Sequence, residues 1–150
     1  KNENYKYFEN YIENNDELKS LIQLNKDKIR KIYDAYKLKI KKLIELINII
    51  KIYFDNNFYT QPNKILNEKF NLLLKKFIKE YKQNNNWNES TLEILINEFI
   101  NKEKIKFATF AKPLRYLLTN NQDGPTISLI ITILGKKNTL LRIKNYFSNK

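Results

Sequence analysis

The sequence contains no cysteine and no histidine among its 150 residues. Without cysteine there is no disulfide framework and no zinc–thiolate site. Without histidine the commonest general base is missing, together with the Ser–His and Cys–His nucleophile pairs and the imidazole metal ligands. Only two glycines occur, so no glycine-rich phosphate loop of the GxGxxG or GxxxxGKS type can be written. No run of about 18 apolar residues is present to cross a bilayer. Methionine is also absent and the chain opens on Lys1, which is expected of an excised domain or a processed fragment. These absences weigh against an independent enzyme.

What is present is a chain rich in aromatic and basic residues. Hydrophobic residues make up 42%, with 10 Tyr and 9 Phe. That is enough to bury a core, and it excludes a disordered polybasic tail. Lys and Arg number 28 against 16 Asp and Glu, a net charge of +12. Lys, Asn and Ile dominate and Arg occurs only at Arg30, Arg115 and Arg142, the bias of an AT-rich genome. The charge is nevertheless concentrated. Residues 26–42 carry eight basic and two acidic residues, and residues 104–150 carry nine basic residues and one acid, Asp123. Two readings stand. Solvated lysine-rich helix faces account for such runs, and so does an electrostatic footprint for a polyanion, most commonly nucleic acid.

Apolar spacing is helical almost throughout, and the fold expected is all-α. Tyr5, Phe8 and Ile12 share one face of a first helix. Asp16 is placed to cap a second, which carries Leu18, Leu21 and Ile22. Residues 27–54 read as one long helix or a broken pair, with Ile29, Ile32, Tyr33, Tyr36, Ile40, Leu43, Ile44, Ile47, Ile50 and Phe54 inward. Pro62 is expected to open the next helix, which runs to Tyr81.

The polar run 83–86 marks an expected boundary between two small helical subdomains, 1–86 and 87–150. Asn88 then fits an N-cap, with Trp87 and Leu92 placed for a hydrophobic staple. Pro113 is expected to kink or restart the helix that begins near Phe107. Pro125 suits a helix's first turn and Gly135 its end. The β-branched run from Ile127 to Leu134 is open to a strand reading, but helix is preferred. Tyr36 and Tyr116 are the aromatics least clearly directed inward.

Two constellations near the end of the chain admit a binding role. Arg115 lies two residues after Pro113. It either snorkels from a kinked helix or offers a planar, multi-donor contact that Lys cannot make. The loop 120–125 is either a simple turn or a place where Gly124 lets a base approach backbone N–H groups.

Residues Trp87 to Glu93, Lys106-Phe107, the run from Pro113 to Thr119, Gly124-Pro125, Leu134-Gly135-Lys136 and Leu141-Arg142 together resemble the C-terminal anticodon-binding region of bacterial-type glutamyl-tRNA synthetases. Residues Lys37 to Leu46, continuing to Tyr53-Phe54, are similar to the family's preceding helical segment, while 1–36 match only loosely. The resemblance implies an all-helical cage of two subdomains that reads the anticodon of tRNA(Glu). It implies anticodon-base contacts at Lys39, Arg115, Gly124, Pro125 and Ile127. Lys39 stands where the family carries Arg, and Asn120 where it carries Gly. Phosphate contacts are expected from Lys37, Lys41, Lys112, Lys136, Arg142 and Lys144.

The parent implied is a class I aminoacyl-tRNA synthetase, glutamate–tRNA ligase. Its ATP- and magnesium-dependent catalytic domain is not in this chain, so no cofactor and no metal are expected here. The remaining expectations are a monomer with no DNA or membrane partner, from a bacterial cytoplasm or an organelle such as a mitochondrion or plastid. The alternative is a basic helical protein-interaction module with no RNA role.

Overall fold

The structure is a computed structural model that describes residues 2–149. Those residues form nine α-helices and no strand: α1 (Asn2–Glu13), α2 (Asp16–Leu24), α3 (Lys26–Tyr36), α4 (Leu43–Tyr53), α5 (Glu68–Tyr81), α6 (Glu89–Glu103), α7 (Phe107–Thr119), α8 (Ile127–Leu134) and α9 (Lys136–Ser148). They fall into two compact units that divide between Asp55 and Asn56, not at the polar run 83–86.

The reason lies in the second unit's core. Phe77 of α5 packs against Phe99 of α6 at 5.3 Å between ring centroids and against Phe110 of α7 at 5.4 Å. Phe99 and Phe110 close the triangle at 5.2 Å. A polar loop cannot separate helices whose aromatic faces form one core.

In the first unit, consecutive helices pack on one another. Phe8 and Ile12 of α1 are buried, and the rings of Tyr5 and Phe8 each meet the ring of Tyr33 at 5.0 Å. Asn15, not Asp16, caps α2, its Oδ1 accepting from the Glu17 N–H. Asp16 occupies the first helical position, where its charge still favours the helix dipole. The stretch 27–54 is a broken pair, interrupted over residues 37–42. That break resets the helical phase. Ile44 is 50% exposed while Leu46 is fully buried, and Tyr53 takes the inward place expected of Phe54. Tyr36, one of the two aromatics least clearly directed inward, lies in the core with its hydroxyl 2.9 Å from that of Tyr53.

In the second unit, Pro62 does not open α5. The helix begins six residues later, where Asn67 Oδ1 accepts from the Phe70 N–H and supplies the cap. Asn88 caps α6 through the Thr91 N–H, as its side chain predicts. Pro113 sits inside α7 without interrupting it, and Tyr116 is buried. Phe107 and Leu141, expected inward, are each 45% exposed. Residues Ile127–Leu134 are helical, with Ile127, Ile130, Ile131, Ile133 and Leu134 buried among neighbouring helices. Gly135 ends α8 at φ +81, a conformation in which a side chain is strained.

Candidate nucleic-acid interface

The end of α7, the loop after it and the start of α8 form one hydrogen-bonded unit. α7 stops at Asn120, which adopts the left-handed conformation at φ 59 and ψ 23. Asn tolerates this better than most residues, so the position expected to need Gly is held by Asn without rebuilding the turn. Its side chain also reaches sideways. Oδ1 accepts from the Gln61 N–H at 2.8 Å and Nδ2 donates to the Tyr59 carbonyl at 3.1 Å. Thr60 Oγ1 adds a bond to the Leu117 carbonyl at 2.8 Å. The chain at 59–61 is thereby strapped across the last turn of α7 and satisfies one of its free carbonyls.

Arg115 organises the loop from within. Its Nε donates to the Pro125 carbonyl at 2.9 Å and its Nη1 to the Gln122 carbonyl at 2.8 Å. Thr119 Oγ1 donates to the Arg115 carbonyl at 2.8 Å and lies 3.2 Å from the Asn121 carbonyl. Gly124 has φ +144, a backbone conformation open mainly to glycine. Thr126 then caps α8 by accepting from the Leu129 N–H.

Of the base-contacting positions expected, Arg115, Gly124, Pro125 and Ile127 are therefore gathered in one place. In the structure most of them are engaged within the unit itself. Two of Arg115's donor atoms hold the loop, and the Ile127 side chain, 1% exposed, belongs to the core. Pro125 is buried and Gly124 only partly exposed. Lys39 lies in the first unit, exposed in the turn between α3 and α4.

The expected phosphate contacts divide into exposed and engaged side chains. Lys41 and Lys112 are exposed, as is Lys144. Lys37 pairs with Asp34 at 3.0 Å, and Asp34 also pairs with Arg30 at 3.2 Å. Burial opposes the Asp34 charge, but hydrogen bonds from Lys37 and Arg30 and their positive charges outweigh it, so its carboxyl titrates below the usual value. Lys136 Nζ donates to the Asn84 carbonyl at 2.9 Å and sits 5.5 Å from the Trp87 ring centroid.

Arg142 is 7% exposed, with Nη1 on the Leu118 carbonyl at 2.8 Å and its guanidinium 4.0 Å from the Phe58 ring centroid. Arg142 is thus a brace inside the second unit, and the expectation that it meets phosphate is corrected by its burial. Sequence reasoning missed both this brace and the Asn120 strap. Only the Asn at a position expected to hold Gly hinted at the second.

The chain belongs to the anticodon binding domain family, whose pattern matches residues 5–147. Among curated relatives, it is 38% identical over 106 residues to the glutamate–tRNA ligase of Buchnera aphidicola subsp. Cinara cedri, covering 70% of this chain and 20% of that protein. It is 31% identical over 135 residues to glutamate–tRNA ligase 1 of Helicobacter pylori strain G27, covering 86% of this chain and 28% of that one. The chain therefore spans less than a third of the length of these relatives. Among solved structures, a glutamate tRNA ligase from Elizabethkingia meningosepticum in complex with its amino acid superposes with a TM-score of 0.71. That match covers 93% of this chain and 30% of the other at 17% identity, a likeness of fold.

Proposed function

We propose that this chain is the anticodon-binding module of a glutamate–tRNA ligase and holds the anticodon loop of tRNA(Glu). The observation that carries the reading is a family match from residue 5 to residue 147 together with curated relatives that are glutamate–tRNA ligases. On this reading Arg115 is a positioning residue. It fixes the carbonyls of Gln122 and Pro125, and so the loop in which Gly124 lets an unstacked base approach the backbone. Base selection then comes from the loop's backbone rather than from the buried Ile127 side chain.

Lys41 and Lys112, both exposed, supply the positive potential for phosphates. With Lys at 39, the contact to the first anticodon base is a point charge rather than a two-pronged donor. ATP-dependent charging belongs to a catalytic region outside this chain, and this module needs neither cofactor nor metal of its own. It works as a monomer, in a bacterial cytoplasm or an organelle.

The test is a titration of a tRNA(Glu) anticodon stem-loop across salt concentration. Engagement of about five or six phosphates gives log K against log salt a slope of roughly −4, at about −0.7 per phosphate. A flat response would favour a protein-interaction module instead.

A further inference from the structure

Helices α5 and α9 run antiparallel and are tied to each other at both ends. Near one end the Tyr146 hydroxyl donates to Asn71 Oδ1 at 2.6 Å. At the other, Lys136 Nζ donates to the carbonyl of Asn84, just beyond α5, at 2.9 Å. α7 packs against both helices. Between the two ties lies a groove of about 500 Å³ lined by residues of both helices.

The groove has an apolar floor and a basic rim. Ile78 of α5 and Leu140, Ile143 and Phe147 of α9 form the floor. Lys75 and Lys79 of α5 and Lys82 at its C-cap line one side, and Lys144 of α9 lines the groove with them. Lys75 Nζ lies 5.3 Å from the Phe147 ring centroid. Among the described residues no carboxylate lines the groove. The acid closest to it in sequence, Glu80, is engaged elsewhere, pairing with Lys102 at 2.7 Å. Among the described residues none of the four groove lysines has an ion-pair partner.

We infer that this groove is a docking site for an acidic, amphipathic helix of another protein. The uncompensated rim calls for carboxylates, and the floor calls for aliphatic anchors between them. The span from Asn71 to Lys82 corresponds to about three helical turns, room for anchors at i, i+4 and i+7. A groove between two helices accepts the ridge of a third. A nucleic-acid strand would match the rim but not the floor, which offers one aromatic ring among aliphatic side chains and so little for bases to stack on. The loop 120–126 contributes nothing to the groove; Lys144, an expected phosphate contact, does line it, so the variants that test the groove leave Lys144 in place.

The probe is a labelled synthetic helix of about four turns, with leucines at i, i+4, i+7 and i+11 and glutamates on its flanks, titrated into the whole chain. Saturable binding is expected. The exposed pair Lys79→Glu and Lys82→Glu should weaken it on the order of tenfold or more. Replacing the leucines of the probe by serines should abolish it. The same double variant should bind the anticodon stem-loop as the parent chain does, which keeps this outcome separate from the tRNA reading. Absence of probe binding overturns the inference. So does equal binding of the serine probe, which would reduce the groove to a negative-charge trap. Displacement of the probe by the stem-loop, with RNA binding lost in the double variant, would assign the groove to nucleic acid.

Discussion

Arg115 is joined to Pro125 by a 2.9 Å hydrogen bond from its Nε to the proline carbonyl, across the loop that separates α7 from α8. With the second bond to Gln122, one guanidinium fixes both ends of a segment that has no regular structure of its own. A planar group with donors at set angles can hold two carbonyls at once. An ammonium cannot reproduce that geometry.

Arg115→Lys should therefore destabilise the second unit by about 1.5–3 kcal/mol, the range for hydrogen bonds involving a charged group. Urea denaturation should show a lower midpoint, and amides 121–126 should exchange faster. Unchanged stability with lost RNA binding would show that Arg115 acts on the RNA directly and not through the loop.

Arg142 offers the contrasting case of a cation that should not matter to phosphate. Its contacts include the Leu118 carbonyl and the face of Phe58. Arg142→Met should cost about 1.5–3 kcal/mol in stability while leaving the salt slope of RNA binding as it was. A reduced slope in a variant of normal stability would put Arg142 back at the interface.

Asn120 combines a left-handed backbone with two side-chain bonds to the strap at 59–61. Asn120→Gly keeps the backbone conformation and loses the bonds, at roughly 1 kcal/mol each. Asn120→Ala loses the same bonds and adds about 1–2 kcal/mol of left-handed strain. Thermal melts should rank the native chain above Gly and Gly above Ala. Gly and Ala variants of equal stability would rule out the strain.

The overall α-helical character was legible because the 3.6-residue period survives in every segment, and Asn88 and Gly135 mark ends through local chemistry. Helix starts were less legible where two candidates compete. Asn67 rather than Pro62 begins α5, and Asn15 rather than Asp16 caps α2, because a cap depends on the geometry of the turn and not on residue type alone. The break at 37–42 shifted the inward face of α4 for the same reason. At the site, the resemblance brought Arg115 and Gly124-Pro125 together. It could not reveal that long side chains such as Arg115, Lys136 and Arg142 turn back onto main-chain carbonyls, because their partners lie far away in sequence or depend on the folded loop.

Asp34 provides a pH signature in the first unit. Its carboxyl pKa is lowered in the folded state, so its contribution is present above the unfolded carboxylate value and is lost as pH falls through the folded one. The side chains are partly exposed, which keeps the effect below about 1 kcal/mol after solvent screening. Asp34→Asn should lower stability slightly at neutral pH and match the native chain once the carboxyl is protonated. A difference that persists in acid would mean the Asp34 pairs are not its source.

Anticodon reading by this chain is best tested by comparing two stem-loops that differ only in the anticodon. Binding of the tRNA(Glu) anticodon stem-loop should be tighter than that of a loop with the second and third anticodon bases replaced, by roughly 1–3 kcal/mol for each changed base. Arg115→Lys, by loosening the loop, should shrink that difference. Equal affinity for both stem-loops at every salt concentration would contradict the account and leave only a basic surface.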